Sequence, residues 1–292
     1  MPNASGREPM VQRAILMGEL QRLRLASGQS QEQVAAALDW SASKVIRIES
    51  GAVGLSMTDL RALLLHYGVS ADDERADAFT VLARDARQPG WWSLYQRALS
   101  PGYRQYIGYE SGASGLCGFR ALLMPGLLQT EEYADALTRE LVASDTDREV
   151  LVEVRMRRQD EIFGRDDPPR LTMIVDEAVL RRHVGVRSDP GIMPRQLRRI
   201  LDLHDQSLAC VRVIPFSAGA HFGMAGDFTI LRFDDARLDD VLCQETVGGT
   251  SLTVTDGGVR VAQHRAAFKR LRQIALPAGH TPTFIEKIIA SL

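Results

Sequence analysis

The segment Gln29–Gly51, QSQEQVAAALDWSASKVIRIESG, decides the fold of the N-terminal part of the chain. Ser30 and Ser41 stand where helices would begin, and Gln33 follows Ser30 at the spacing of a capping box. Gly51 follows a short helical pattern, and glycine readily takes the left-handed conformation that ends a helix. The segment therefore predicts two short helices joined by a tight turn.

The flanking residues extend this pair to a bundle of four helices. A first helix is predicted from about Val11 to Ser27, ended by Gly28, and a fourth begins at Ser56 and ends at Gly68. Apolar residues recur at helical spacing in all four, so each helix has one buried face. The predicted inward-facing residues are Leu16, Leu20, Leu23, Val34, Leu38, Val45, Ile48, Leu60, Leu63 and Leu64.

A short helix, a turn and a second helix at this spacing form the helix-turn-helix unit, whose second helix enters the major groove of DNA. Lys44 and Arg47 point outward there and can donate to guanine O6 and N7 or to phosphate, while the Ala42 methyl can touch thymine. Gln31 and Ser41 lie at helix N-termini, where side chains and backbone N–H groups can hold phosphates. The predicted DNA-contacting residues are Gln31, Ser41, Ala42, Ser43, Lys44 and Arg47.

A bundle of this kind could instead bind protein or serve only as a folding unit. We favour DNA because the surface positions of Lys44 and Arg47 have no explanation in packing.

The segment resembles the Xre and phage-repressor family of helix-turn-helix proteins. That family carries a glutamine in the first turn of its second helix, matched by Gln31, and a partly buried ion pair between helices 1 and 3, matched by Arg24 and Glu49. The resemblance implies an all-α, phage-repressor-like bundle that this pair holds together. Asp39 departs from the family, which usually has glycine there, but aspartate tolerates the left-handed region better than most residues.

Composition limits how the chain can bind DNA. Net charge is −2, and residues 1–70 hold seven Lys and Arg against six Asp and Glu, so no broad basic field is present. Local placement of charge must then provide the binding, and we expect a homodimer that doubles the contacts. Such a dimer favours an inverted repeat in double-stranded DNA with half-sites about 34 Å, or about 10 bp, apart or a multiple of that.

Several classes of site and location are not favoured. Cys117, Cys210 and Cys243 are widely spaced and form no CxxC, so we expect free thiols and no metal. No nucleotide-binding glycine motif occurs, and no cofactor is expected. The polar N-terminus and the absence of a long apolar run indicate a cytoplasmic, nucleoid-associated protein with no membrane contact.

The chain of 292 residues, 45% hydrophobic, is long enough for two cores. We predict disorder in 1–9, the DNA-binding domain in 10–87 and a second domain in 88–292, with the breaker RQPG at the boundary. A fifth helix is expected from Ser70 to about Ala86. Its predicted inner residues are Ala78, Val81 and Leu82.

The second domain alternates helical patterns with short apolar runs, which predicts a mixed α/β or α+β fold. Glycines at 112, 115 and 118 indicate a flexible or tightly turned segment over 109–119, and MRRQDE at 156–161 indicates a solvated charge run. The predicted strands are LTMIV (171–175), CVRVIPF (210–216), FTILRF (228–233), DVLCQE (240–245) and SLTVT (251–255). The predicted longer helices are 131–142, 147–163, 190–206 and 259–274, with a last helix from Thr281.

This half is similar to a domain of unknown function that is attached to Xre-type regulators and is abundant in filamentous actinobacteria. PGLLQTEEYA (125–134) and IPFSAGAH (214–221) carry the resemblance most specifically. It implies a transcriptional regulator, often with a small partner protein encoded beside it in a toxin–antitoxin-like arrangement. The glycine-rich stretch before PGLLQT is a departure, as is Cys243, where the family usually has an aromatic residue.

The second domain offers candidates for a ligand or partner surface, namely Trp91, Trp92, His221 and Glu245. The aromatic cluster that starts at Trp91 is interpreted either as a stacking platform or as a hydrophobic clasp, and the clasp is favoured because aromatic residues mostly bury area. A glycine-rich loop beside strands can also line a small-molecule pocket.

Catalysis is not expected in the second domain. Asp176 and Glu177 suit helix capping, and His221 has no carboxylate or nucleophile partner identifiable from the sequence. The sequence therefore predicts a DNA-binding transcriptional regulator, with an antitoxin-like partner protein or a small-molecule effector as alternatives for the second domain.

Overall fold

The computed structural model describes residues 8–246, 249–253 and 258–292. These form two compact units, one comprising the chain up to Trp91 with Asp235–Leu238, the other Trp92–Asp234 with Asp239–Leu292. Of the predicted disordered segment 1–9, residues 1–7 lie outside the described residues. Pro9 begins a helix, so the prediction of disorder was wrong there.

The first unit is all α, and the predicted start and stop signals operate as expected. Its helices are α1 (Pro9–Ala26), α2 (Gln31–Ala37), α3 (Ala42–Glu49), α4 (Met57–His66) and α5 (Glu74–Asp85). Ser30, Ser41 and Ser56 each accept a hydrogen bond from the backbone two or three residues into the following helix, and Ser30 forms the full capping box with Gln33. Helix ends at Gly28, Gly51 and Gly68 have φ of 70°, 67° and 77°.

The fifth helix starts later than predicted, and its buried face differs. Asp73, not Ser70, caps it, and Phe79, Leu82 and Ala83 are its buried residues. Ala78 is exposed and Val81 is 47% exposed, so the assignment of both residues to the inner face was wrong. Positions 79, 82 and 83 lie on one helical stripe, and Phe79 has the largest apolar surface to bury.

The second unit is a mixed sheet with helices. Its strands are β1 (Gly115–Arg120), β2 (Arg170–Asp176), β3 (Ala209–Ile214), β4 (Phe228–Arg232), β5 (Val241–Thr246) and β6 (Gly249–Thr253). Its helices are α6 (Pro101–Ser111), α7 (Glu131–Leu141), α8 (Asp145–Phe163), α9 (Glu177–Arg181), α10 (Ile192–Asp205), α11 (Val259–Ile274) and α12 (Thr281–Ile289). The predicted strand 251–255 overlaps β6 through Thr253, and its last two residues lie outside the described residues.

The strand order is β3-β2-β1-β4-β5-β6, with β1, β2 and β3 parallel and β4, β5 and β6 antiparallel to their neighbours. Strand β1 lies inside the sheet, so the expectation that 109–119 is flexible or tightly turned was wrong for 115–119. A Cβ on Gly118 would lie 2.5 Å from the carbonyl oxygen of Phe228. Glycine at 118 therefore permits close pairing of β1 with β4, a positional role that glycine takes in strands.

The two faces of the sheet differ. One face holds an apolar cluster with α11 that includes Phe119, Phe228, Ile230 and Leu271. Gly118 and Thr229, paired across β1 and β4, alternate with these residues and lie on the other face.

The stretch 156–161 of α8 is not a solvated charge run as predicted. Arg158 and Gln159 are only 5% and 6% exposed. Their positions on the inner face of the helix lead to the cavity described below.

Candidate functional sites

The Arg24–Glu49 ion pair joins α1 to α3 in the first unit. Arg24 Nε lies 2.6 Å from Glu49 Oε1, and a second guanidinium nitrogen lies 3.0 Å from Oε2, so the contact is bidentate. Both side chains are more than nine-tenths buried. The hydrogen bond that Arg24 donates to Glu49 raises the pKa of Arg24, so the guanidinium is charged at any physiological pH.

The same pair fixes the start of α2. Arg24 donates to the carbonyl of Gln29 at 2.9 Å, and the Gln31 side-chain amide donates to Glu49 Oε2 at 2.7 Å. Gln31, predicted to hold phosphate, thus has its amide directed to Glu49 in this structure. Its contribution here is to the position of α2 relative to α3.

Two basic side chains of α3 have different surroundings. Lys44 Nζ lies 2.7 Å from Asp59 Oδ1 on α4 and 3.7 Å from the centre of the Trp40 ring. Arg47 is exposed, and its Nε donates to the carbonyl of Ser43 one turn earlier at 3.2 Å. Arg47 can extend to a ligand at little cost, whereas Lys44 must first leave Asp59 and Trp40.

The N-cap of α3 and several of its other residues surround Arg47 in the sequence. Ser41 Oγ accepts from the Lys44 backbone N–H at 3.2 Å, and Ser43 is exposed beside Ala42. Ile46 is 44% exposed, an apolar surface next to Arg47. The turn before α3 contains Asp39 with φ of 56°, the left-handed conformation expected of this position.

Sequence reasoning missed the contacts of Lys44. Asp59 is the third residue of α4, where a carboxylate also favours the helix start, and its sequence position alone does not indicate a partner on α3. Trp40 stands four residues before Lys44, a spacing that could have indicated the cation–π contact.

In the second unit, the predicted surface residues Trp92 and His221 are buried. Trp92 is 6% exposed, and Tyr106 and Tyr109 are also buried, which supports the clasp interpretation of the aromatic cluster. Trp91 is half-buried. Glu245 lies in β5.

His221 has a carboxylate partner, contrary to expectation. Its Nε2 lies 3.1 Å from Asp176 Oδ2, and its ring contacts Phe119 edge to face at 5.5 Å. The His221 side chain is only 4% exposed. The pair was not identified from the sequence because the two residues are 45 positions apart.

This pair belongs to a set of contacts that holds the loop 214–226 on the sheet. Glu177 Oε2 accepts from the Phe216 backbone N–H at 2.7 Å, and a Cβ on Gly223 would lie 2.4 Å from the Phe119 ring. The conformation of the IPFSAGAH motif is therefore set by the carboxylates at the end of β2 and the start of α9. Within the described ranges, no group of three or more His, Cys, Asp and Glu residues is arranged to hold a metal ion.

A cavity of about 290 Å³ lies on the other face of the sheet, and sequence reasoning did not identify it. It is bordered by β1, β2 and β4 on one side and by α6, α7, α8 and the segment 123–129 on the others. Leu141, one of its lining residues, is 67% exposed, so the cavity reaches the surface at the end of α7.

A buried polar network lies at the inner end of this cavity. Arg158 Nε lies 2.6 Å from Glu110 Oε2, and the Tyr106 hydroxyl donates to Glu110 Oε1 at 2.6 Å. Arg158 also donates to the Tyr103 hydroxyl at 2.5 Å. Burial, and then the Glu110 charge, raise the pKa of Tyr106 well above its ordinary value, so the phenol stays protonated and donates.

Glutamine side chains hold the PGLLQT segment as the wall of the cavity. Gln159 Nε2 donates to the carbonyls of Gly126 and Gln129 at 2.9 and 2.8 Å, and Gln196 Nε2 donates to that of Leu128 at 2.7 Å. Gln129 in turn donates to the Met124 carbonyl at 2.7 Å. These amides bind the backbone carbonyls of a short 3-10 turn, Gly126–Leu128, and of the residues beside it, which keeps the wall in one conformation.

Comparison with known proteins gives two matches. Residues 103–287 match the model of a domain of unknown function (DUF5753), and residues 16–78 match that of a helix-turn-helix domain. No curated protein and no solved structure compared with the chain is significantly similar to it. Among the helices described, none has the length and apolar character needed to cross a bilayer.

Proposed function

Because the chain belongs to the family defined by this domain of unknown function and carries a helix-turn-helix DNA-binding domain, we propose that it is a sequence-specific transcriptional regulator. The main support is the outward face of α3, which presents Arg47 on a helix fixed by the Arg24–Glu49 pair. A rigid helix with an extendable arginine suits bidentate recognition of guanine.

The DNA-contacting residues are proposed to act unequally. Arg47 supplies base or phosphate contact, with Ala42 and Ser43 close to base edges. Lys44 contributes less, because DNA binding must compete with Asp59 at 2.7 Å. Ser41 and the start of α2 at Gln31 fix the position of the phosphates through their backbone N–H groups.

We expect the regulator to bind as a homodimer to an inverted repeat, since one weakly charged domain offers few phosphate contacts. The second unit is proposed to modulate DNA binding. Its cavity favours a small-molecule effector, and a small partner protein remains the second candidate on the strength of the family resemblance. We propose no catalytic role, since the contacts of the His221–Asp176 pair hold the loop 214–226 on the sheet.

Selection of binding sites from a random pool of double-stranded DNA by the purified full-length protein tests the proposal. Enrichment of one inverted-repeat sequence is expected. Arg47→Ala should then weaken binding to that sequence by about 1–3 kcal/mol, and Lys44→Ala by less, with the helical content unchanged. Measurement across a salt series separates base contact from phosphate contact, because loss of a phosphate contact lowers the salt slope by about one.

Arg84→Ala is the matched control, since Arg84 is an exposed arginine on α5, away from α3. It should leave affinity unchanged. Equal losses for Arg84→Ala and Arg47→Ala would contradict the assignment of α3 as the reading helix. A selection that enriches no sequence would contradict sequence-specific regulation by the protein alone.

A further inference from the structure

The cavity of the second unit combines an apolar body with a positively charged end. Its apolar lining comes from the sheet, from α7 and from the segment that precedes PGLLQT, and includes Leu116, Leu123, Leu137, Leu171 and Met173. Its volume of about 290 Å³ lies near the lower limit for small-molecule sites. The apolar surface would stabilise a hydrocarbon or aromatic group there.

Three arginines line the cavity, and their charges are compensated to different degrees. Arg158 is paired with Glu110 at 2.6 Å. Arg120 is 4.0 Å from Asp227 and donates to the carbonyls of Phe119 and Phe228 at 3.0 Å. These two arginines are held by protein carboxylates and carbonyls.

Arg155 differs from the other two. It donates to the neutral amide oxygen of Gln129 at 3.0 Å, and no carboxylate in the described part of the chain lies within ion-pair distance of it. Gln129 is itself held by the Met124 carbonyl, so the guanidinium is directed along the cavity wall. The charge of Arg155 is therefore matched by a neutral amide oxygen and by no described carboxylate.

We propose that this cavity binds a small organic anion, with its carboxylate or phosphate group on Arg155 and its apolar body between the sheet and α7. A half-buried arginine without a counter-ion gains from an anion that brings both charge and hydrogen-bond acceptors. The exposed end of α7 at Leu141 provides the entry. The role of this cavity as the effector site of the regulator rests on the proposed function. Binding of the anion itself does not require DNA.

Isothermal titration calorimetry of the full-length protein tests the site with octanoate, octyl phosphate, octanol and octylamine. Octanoate or octyl phosphate should bind at least about tenfold more tightly than octanol, and octylamine should not bind, because a charge-assisted hydrogen bond of about 1.5–3 kcal/mol corresponds to that ratio or more. The tighter of the two anions identifies the head group. No binding by either anion, or equal binding of octanoate and octanol, would overturn the proposal.

Two variants locate the site. Arg155→Met should weaken octanoate binding about tenfold or more and leave octanol binding unchanged, whereas Leu137→Trp should abolish both by filling the cavity. Arg139→Met, which changes an exposed arginine of α7 outside the lining, is the control and should bind octanoate like the unaltered protein. Octanoate binding that Arg155→Met does not weaken would refute the assigned position of the anion.

The link to regulation is measured separately. Octanoate or octyl phosphate is added to the protein bound to its selected DNA, and a change in DNA affinity that Arg155→Met removes would support the effector role. Binding of the anion without any effect on DNA affinity would refute that role and leave the cavity assignment intact. Failure to select any DNA would contradict the proposed function but not the cavity assignment.

Discussion

Each unit contains a buried arginine–glutamate pair, and the two pairs do different work. Arg24 and Glu49 are 9% and 6% exposed and join α1 to α3. Arg158 and Glu110 are 6% and 0% exposed and lie at the inner end of a cavity, beside two tyrosines. The first pair fixes the position of a helix, and the second places an arginine with its own counter-ion in the wall of a pocket.

The difference shows what a charged residue in a sequence does and does not reveal. Arg24 and Glu49 match positions of a well-defined family pattern, so their pairing was expected. Arg158 stands in MRRQDE, where every residue but Met156 is polar, and composition there suggests solvent. Burial of Arg158 depends on the sheet and on α6, which are distant in sequence.

The largest effect is expected from Glu110→Gln. Loss of the carboxylate leaves the buried Arg158 charge without its nearest counter-ion, which costs about 3–5 kcal/mol when one partner of a buried pair is removed. Hydrogen exchange measured by mass spectrometry should show the loss as faster exchange in α6 and α8. Helix α1 and helix α3 serve as the internal reference and should be unaffected. A change below about 1 kcal/mol would indicate that the pair behaves as a surface salt bridge.

Glu49→Gln is expected to cost somewhat less, about 3 kcal/mol, because Arg24 retains the Gln29 carbonyl and both side chains are slightly more exposed than those of the other pair. Hydrogen exchange of the α1 and α3 amides measures this loss of stability. Arg24→Met/Glu49→Leu removes both charges together and should recover most of the loss, since apolar replacement of a buried pair is often neutral. A double variant as unstable as Glu49→Gln would show that the hydrogen bonds, more than the stranded charge, determine the cost.

Gly118→Ala is expected to cost about 1–3 kcal/mol, the range for inserting a methyl group into a closely packed region. The added carbon would lie 2.5 Å from the Phe228 carbonyl oxygen, so β1 and β4 must separate. Urea denaturation measures the loss of stability, and hydrogen exchange of the β1 and β4 amides shows where in the sheet it occurs. Gly115→Ala is the matched control in the same strand, because its nearest neighbour would be 3.6 Å away, and it should be tolerated much better.

Local signals made the first unit predictable, and non-local contacts made the second only partly so. Helix caps at Ser30, Ser41 and Ser56 act within three residues, and the sequence contains all that determines them. Strand β1 was missed because its glycines suggest a turn, whereas the reason for Gly118 is the Phe228 carbonyl, which is distant in the chain.

The candidate sites show the same difference between local signals, which the sequence reveals, and non-local contacts, which it does not. Arg47 and its exposed position on α3 could be predicted from the helical period alone. The cavity could not, since its arginines and the glutamines that hold its wall come from β1, α8, α10 and the segment 123–129, which only the fold brings together. Even the partner of His221 required knowledge of how the loop 214–226 lies against the end of β2.

The smallest effect is expected from substitutions in two similar turns, one in each unit. Asp39 and Ser207 both follow a helix with φ of 56° and 59°, and in each case the next residue donates five positions back, Trp40 to Ala35 at 2.8 Å and Leu208 to Leu203 at 3.0 Å. This is the Schellman arrangement, in which glycine is the preferred residue.

Glycine at either position removes a left-handed strain of about 1–2 kcal/mol and adds about 0.5–1 kcal/mol of entropy cost in the unfolded chain. Ser207→Gly should therefore stabilise the second unit by about 0.5–1 kcal/mol, measured by urea denaturation. Asp39→Gly should gain less, because aspartate tolerates the left-handed region through local hydrogen bonds of its short side chain. A gain for Asp39→Gly equal to that for Ser207→Gly would mean that aspartate is as strained as serine in this turn, and that its replacement of the family glycine reflects a requirement other than backbone conformation.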